Sequence, residues 1–254
     1  MVMSLIDSLL RWIHIVAGIA WIGHLYFFNF VNSGFAPTMD GETKKKVVPA
    51  LMPRALYWFR WGAAFTWVTG ILLLLIAFYH TRVAIEPDRG WGGAIVMLVF
   101  VLVAPFIYDV LVKGPLKDLQ TLFWSGVALT FVVLLLFKFV GGYSYRGAAI
   151  HLGGMFGTIM AYNVWFRIWP AQQKIITATK NGEAPPADLV AMAGGRSRHN
   201  TYMSVPLVFM MINMHTTWAA GSAITEALIL TIVVLAGWAL TYHLYAIAGR
   251  VKGF

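Results

Sequence analysis

The sequence predicts an all-α protein, a polytopic bundle of about seven transmembrane helices in one domain over residues 1–254. Of the 254 residues, 59% are hydrophobic and only 11% are charged, whereas a soluble domain carries about 25% charged residues. The apolar residues form long runs, and about 20 of them in a row allow one helix to cross a bilayer. The 11 Trp, 10 Tyr and 17 Phe add the aromatic content typical of membrane interfaces.

Seven apolar segments have the length of a spanning helix. Pro206 predicts a kink in the first turns of the sixth segment. Two long connections, 32–54 and 170–199, are rich in turn-forming and charged residues. Because loop backbone cannot satisfy its hydrogen bonds in lipid, we expect both to lie outside the hydrocarbon. The expected spans are 5–31, 55–80, 92–112, 121–140, 147–169, 200–221 and 223–248.

Lysine and arginine are distributed unequally between the two ends of these spans. Cytoplasmic loops are enriched in both residues, and most of the 19 fall on one side, including the run 44–46. This predicts an outside N-terminus and an inside C-terminus. The same rule accounts for the formal charge of +9, so no nucleic-acid partner is expected. The opposite side holds only Arg11, Arg82, Arg89, Lys138 and Arg146.

We expect no cleaved signal peptide, and the lack of cysteine excludes several kinds of cofactor site. The first apolar segment is too long for the hydrophobic core of a signal peptide, so we expect it to remain as a spanning helix. Cysteine does not occur, which excludes disulfides, iron–sulfur clusters and the thioether attachment of haem c. Histidine and methionine are then the remaining soft or borderline ligands for a metal or a haem iron.

Four of the seven histidines are expected in the outer leaflet, on four different spans: His14, His80, His151 and His215. An ionisable side chain inside a bilayer is a functional candidate by default, although a lone histidine can also serve only to hydrogen-bond a neighbouring helix. Imidazole is a common axial ligand of haem iron. We therefore expect one haem b, with His14 and His215 as the axial pair and His151 as a substitute. A second, inner haem between His24 and His243 is an alternative.

The segment RWIHIVAGIAWIGHLYFFNF at 11–30 places His14 beside small and aromatic residues. At about 100° per residue, Gly18 lies about 40° and Trp21 about 20° from His14 around the helix. The three residues thus form one stripe, in which glycine leaves room for a flat ring and tryptophan packs on its edge. The alternative is a small-residue seam for helix packing.

A pair of glycines and an Asp–Lys pair each have more than one interpretation. Gly153 and Gly157 either allow close helix approach or widen a pocket beside His151. Asp109 is expected to pair with Lys113 four residues later, in preference to a role in proton relay.

Three stretches carry a family resemblance: RWIHIVAGIAWIG, HLGGMFGTIMAYNVWFRIWPAQQKII and RSRHNTYMSVPLVFMMINMH. Together they resemble the membrane domain of bacterial membrane-bound urate hydroxylases, the urate oxidase N-terminal family. The resemblance implies oxidation of urate to 5-hydroxyisourate, with electrons passed to the respiratory chain. Members with the full architecture add a further helix and a C-terminal cytochrome c domain, and we expect neither in this chain. The resemblance also implies a location in the bacterial inner (cytoplasmic) membrane. The family's histidines correspond to His14, His151, His199, His215 and His243.

Three functions remain open at this point. The first is a haem b electron-transfer subunit, or an oxidoreductase dependent on cytochrome c, a quinone or another respiratory-chain subunit. The second is urate hydroxylase itself, with Arg198, His199 and Asn200 as candidate substrate contacts. The third is a non-catalytic assembly subunit of a respiratory or photosynthetic membrane complex. The sequence also leaves open a homo-oligomer.

Overall fold

A computed structural model describes residues 1–213 and 215–251. Seven continuous helices account for most of this part of the chain, which confirms the predicted all-α class. Five of them are long and apolar enough to cross a membrane. The number of crossings, the orientation and the single-domain organisation stay predictions. The helices are α1 (Val2–Thr38), α2 (Gly41–Tyr79), α3 (Trp91–Lys113), α4 (Leu119–Phe139), α5 (145–181), α6 (Ala187–Asn213) and α7 (Ala223–Ala248).

The prediction of long loops at 32–54 and 170–199 is wrong, because most of both segments is helical. Helix α2 begins directly after Asp40, whose carboxylate accepts a hydrogen bond from the Thr43 amide at 2.9 Å. Helix α5 continues to Asn181 and ends at Gly182, which has the left-handed φ of 76° typical of a helix terminus. The polar composition of these two segments therefore led to a wrong prediction of loops, because most of each segment extends a neighbouring helix.

Helix α6 is displaced towards the N-terminus from the predicted span at 200–221. It begins at Ala187 and ends at Asn213. The Asn213 carboxamide accepts a hydrogen bond from the Trp218 indole at 2.7 Å, and the Thr216 amide donates to the Asn213 carbonyl at 3.0 Å. These bonds form a turn after the helix, and His215 lies in that turn.

Three helices contain a short stretch of π-helix. These stretches are Phe27–Asn32 in α1, Leu74–Tyr79 in α2 and Val164–Ile168 in α5. A π-helical turn shifts the side chains that follow it around the helix axis, and such turns occur often at functional sites.

The contacts group the chain into two compact units. Unit 1 comprises Met1–Gly70, Met160–Met203 and the described residues from Leu240 onwards. Within it α1 packs closely on α2, because a Cβ added to Gly62 would lie 2.9 Å from the backbone nitrogen of Trp21. Leu25, Leu56 and Phe59 are buried in its core.

Unit 2 comprises Ile71–Ile159 and Ser204–Ala239. Its loops are joined by one isolated β-bridge between Ile85 and Tyr143. A Cβ on Gly147 would overlap the carbonyl oxygen of Ala84, so glycine is required where α5 begins against the loop between α2 and α3. A buried ion pair joins α4 to α7, with Lys138 Nζ 2.8 Å from Glu226 Oε2.

Candidate functional site

Unit 1 contains a cavity of about 190 Å³ in which polar and aromatic side chains meet. Carboxamides and hydroxyls come from α1, α5 and α6, and the apolar wall comes largely from α2. None of the lining side chains is ionisable. The lining residues are Phe28, Asn29, Asn32, Ser33, Met52, Leu56, Phe59, Ile168, Gln172, Ala193, Gly194 and Ser197.

The π-helical stretch of α1 supplies Phe28, Asn29 and Asn32 to the cavity lining. The side chain of Asn29 is held in place by hydrogen bonds. The Asn29 amide nitrogen donates to the Leu25 carbonyl at 2.9 Å and to the Ser197 hydroxyl at 2.8 Å. Its carbonyl oxygen accepts from the Tyr245 hydroxyl at 2.9 Å. These hydrogen bonds hold the Asn29 side chain in place and connect α1 to α6 and α7.

Two other carboxamides are available to a ligand. Among the residues that the structure describes, Gln172 makes no side-chain hydrogen bond, and Asn32 makes only a 4.0 Å contact to the sulfur of Met52. Phe28 packs edge-on against Phe59, with 5.3 Å between ring centroids and 84° between ring planes. The cavity therefore offers donors and acceptors beside an aromatic wall, which suits a small flat molecule with a polar edge.

The substrate contacts predicted on α6 lie next to this cavity in sequence but do not line it. Asn200 is fully buried, where it accepts a hydrogen bond from Asn163 at 2.9 Å and donates to the Met160 carbonyl at 3.0 Å. The Arg198 guanidinium lies 5.3 Å from the centre of the Tyr245 ring. The assignment of Arg198, His199 and Asn200 to substrate stays a prediction, whereas Ala193, Gly194 and Ser197 form the cavity wall.

The stripe predicted on α1 packs against α2. His14 Nδ1 lies 3.1 Å from the Thr69 hydroxyl, and Thr69 in turn donates to the Phe65 carbonyl. A Cβ on Gly70 would lie 3.0 Å from His14 Cε1, so this glycine leaves room for the imidazole. Trp21 is only 2% exposed. The geometry agrees with the packing-seam interpretation, and it also orients the His14 ring.

His151 has hydrogen bonds at both ring nitrogens. Nδ1 lies 2.7 Å from the Gly147 carbonyl, which can only accept, and Nε2 lies 2.9 Å from the Tyr79 hydroxyl. The ring is fully buried and stacks on Tyr143, with 3.9 Å between centroids. Neither nitrogen is free for an iron in this arrangement.

The other candidate histidines are more accessible. His215 lies in the turn after α6, His243 lies on α7, and both are exposed. His24 is half-buried, and its Nδ1 donates to the Ala20 carbonyl at 2.7 Å. Within residues 1–213 and 215–251, no group of three or more His, Cys, Asp or Glu side chains is arranged to hold a metal ion. His14 and His24 belong to unit 1 and His215 to unit 2, so the axial pairing stays a prediction.

Sequence reasoning missed the carboxamides of the cavity and the tyrosine partners of His151. Asn29 and Asn32 are three residues apart in the apolar segment FFNFVN, and polar side chains within such a segment are a usable indication of function. Nothing in the sequence pairs Tyr79 with His151. The predicted Asp109–Lys113 pair is confirmed, at 2.7 Å.

Comparison with known proteins identifies one family. No curated protein and no solved structure matches the chain. The family model described as urate oxidase N-terminal matches residues 1–45 and 40–252, in agreement with the resemblance found in the sequence. The chain therefore belongs to the urate oxidase N-terminal family and is related to the urate hydroxylases.

Proposed function

We propose that this protein is a membrane oxidoreductase subunit that binds urate in the unit 1 cavity and passes its electrons to a partner. The observation that supports this most directly is the cavity itself. In a chain with only 11% charged residues, carboxamides from α1 and α5 and hydroxyls from α1 and α6 converge beside two phenylalanine rings.

The chemistry of the lining matches the edge of urate. Urate is a flat anion whose rim alternates N–H donors with carbonyl acceptors. A carboxamide offers a donor and an acceptor side by side, and this is how Asn and Gln pair with the edge of a purine. Asn32 and Gln172 would take this role, and Phe28 offers a ring face or edge. Ser197 adds a hydroxyl donor, whereas the Ser33 hydroxyl donates to the Asn29 carbonyl at 2.6 Å and is left as an acceptor. Hydrogen bonds to an anion are stronger than those to a neutral group, so each donor in the wall would contribute more to binding urate than to binding a neutral ligand.

The residues of the chain would bind and orient the substrate, and the electrons would leave to another molecule. Conversion of urate to 5-hydroxyisourate adds one water and releases two electrons and two protons. None of the lining side chains is redox-active or ionisable. The electron acceptor would therefore be a quinone, a cytochrome c or another respiratory-chain subunit. A quinone would take up the two protons with the electrons, and with the other acceptors the protons would pass to water.

Turnover with added acceptors tests this proposal. The chain in lipid nanodiscs is mixed with urate and either a short-chain quinone or ferricytochrome c, and loss of urate absorbance is followed. Gln172→Leu should raise KM by about tenfold, because it removes a hydrogen-bonding edge worth about 1–2 kcal/mol. Gln173→Leu is the matched control, since Gln173 is exposed and lies outside the cavity. Absence of urate oxidation with every acceptor would contradict the proposal.

Haem b is a second candidate for the redox component, favoured by the geometry of two histidines. The Nδ1 atoms of His14 and His24 are held by oxygen acceptors, and metal-bound imidazoles are oriented by such bonds. The donor chemistry of these two residues would suit a ligand to haem iron, whereas that of His151 would not. His14 or His24 would each supply one nitrogen to the group, which would supply one-electron transfer.

A pyridine haemochrome assay on protein from haem-sufficient cells tests the haem proposal. His14→Ala should lose bound haem, and His80→Ala should keep it, because His80 is exposed at the end of α2. Well-folded protein without haem, or full haem content in the His14 variant, would refute the assignment without affecting the urate cavity.

A further inference from the structure

Unit 2 contains a buried cluster of two tyrosines and one histidine that the proposed function does not use. The Tyr79 hydroxyl lies 2.9 Å from His151 Nε2 and 2.8 Å from the Tyr143 hydroxyl. Tyr143 and His151 are 0% exposed and Tyr79 is 7% exposed. The two tyrosines come from the end of α2 and from the turn before α5, and the histidine comes from α5.

The hydrogen bonds determine where the protons lie. Because the Gly147 carbonyl accepts from His151 Nδ1 at 2.7 Å, the neutral ring carries its proton there and Nε2 is an acceptor. The Tyr79 phenol is therefore the donor to Nε2. The single Tyr143 proton is shared between the Ala94 carbonyl and the Tyr79 oxygen, each at 2.8 Å. The Ala94 carbonyl lies farther from the Tyr79 hydroxyl, at 3.3 Å, than His151 Nε2 does. Tyr79 is thus a phenol whose proton points directly at a neutral imidazole.

Burial disfavours a positive charge on the His151 ring, and two contacts offset part of that cost. Tyr143 stacks on the imidazole with 3.9 Å between centroids and 19° between planes, and an aromatic face stabilises a cation held over it. Once Nε2 is protonated, the Gly147 carbonyl still accepts from Nδ1, so no hydrogen bond is lost. Protonation would be costly in an apolar site without these contacts.

We propose that Tyr79 is a redox-active tyrosine that His151 serves as proton acceptor. One electron leaves the Tyr79 ring while its O–H bond breaks and an N–H bond forms at His151 Nε2, giving a neutral tyrosyl radical beside an imidazolium. The electron goes to a one-electron oxidant of the oxidised-metal-centre class, supplied by a partner. The heavy-atom distance lies within the range at which proton transfer is efficient.

Trp91 gives this cluster a connection to the surface. Its ring stacks on Tyr79 with 5.9 Å between centroids and 25° between planes, and it is 37% exposed. An oxidant docked at Trp91 would therefore exchange electrons with Tyr79 through stacked rings. Since all these residues lie in unit 2, the inference stands independently of the urate cavity in unit 1.

Flash-quench oxidation of the full chain in nanodiscs tests the proposal, with photogenerated ruthenium(III) tris-bipyridine as the oxidant. We expect a neutral tyrosyl radical in the electron paramagnetic resonance spectrum, formed in a phase that slows in D₂O. Tyr79→Phe should lose that phase. His151→Gln keeps a hydrogen-bond acceptor but no base, and should slow it by about 100-fold. Tyr242→Phe is the control, since Tyr242 is 69% exposed on α7.

A measurement on the unaltered protein guards against variants that fail to fold. High-field spectra of the wild-type radical should show a lowered gx and one exchangeable proton coupling, as expected for a radical hydrogen-bonded to a cation. A D₂O-sensitive phase unchanged in Tyr79→Phe or in His151→Gln would overturn the proposal. A wild-type radical without the exchangeable coupling would also overturn it.

Discussion

Single glycines set the distance between α1 and α2. The sequence pattern predicted that His14, Gly18 and Trp21 share one face of α1, because helical periodicity is a local property. It could not predict that Gly62 and Gly70 lie opposite this face. The same limit applies to His151, since its partner Tyr79 is 72 residues away in the chain, and only the folded structure brings the two together.

Substitution of Gly62 by alanine should destabilise the protein. The added Cβ would lie 2.9 Å from the Trp21 nitrogen and 3.1 Å from the Ala17 carbonyl. Both are backbone atoms that cannot move aside, so we expect a loss of about 1–3 kcal/mol and a lower Tm in detergent. Gly23→Ala is the control, because a Cβ there meets nothing within 4 Å and alanine favours a helix. Equal melting of the two variants would contradict this account of the interface.

At the scale of elements, the prediction succeeded for apolar cores of helices and failed at their polar ends. Every predicted span overlaps a helix, but α2 begins 14 residues earlier than the span expected at 55, at Gly41. Hydropathy reports where a helix is apolar and gives no information on where its hydrogen bonds stop. The start of α2 is determined instead by the Asp40 cap, and the end of α6 by the turn at Asn213.

The first turn of α2 should depend on pH. Asp40 accepts hydrogen bonds from the backbone N–H of Thr43 and then from its hydroxyl, and these hold the pKa of the carboxyl below its usual value of 3.8. A lowered folded-state pKa means that the cap stabilises the helix fully above the usual value, and that this is lost as the pH falls through the folded-state pKa. Hydrogen–deuterium exchange, corrected for intrinsic rates, should show loss of protection at 41–46 on acidification. Asp40→Asn caps without titrating and should remove that dependence. Unchanged protection in the acidified wild type would refute the role of the cap.

At the scale of the whole molecule, apolar side chains on the surface indicate a membrane protein. Trp12, Ile19 and Val110 are each more than 60% exposed, which suits contact with lipid. The charge distribution predicts the direction in which the helices cross, whereas the cavity could not be predicted, because residues from α1, α2, α5 and α6 form it together. The family, by contrast, was recognisable from three stretches of sequence.

Single cysteines can test the predicted orientation without removal of native ones, since the sequence contains none. The test uses bacterial spheroplasts, in which the outer membrane is open and the inner membrane is intact. A membrane-impermeant maleimide should label Asp88→Cys and spare Glu183→Cys, both at exposed positions between helices. Permeabilisation should then allow labelling at 183. The reverse pattern would contradict the positive-inside assignment.

Equilibrium binding of radiolabelled urate to the chain in nanodiscs tests the proposed cavity most directly. Gly194 and Gly195 are neighbours, and a Cβ at either meets nothing within 4 Å, but only Gly194 lines the cavity. We predict one saturable site per chain, weakened about tenfold or more by Gly194→Leu and unaffected by Gly195→Leu. Absence of saturable binding to the wild-type chain, or equal affinity of the two leucine variants, would contradict the assignment of this cavity to urate.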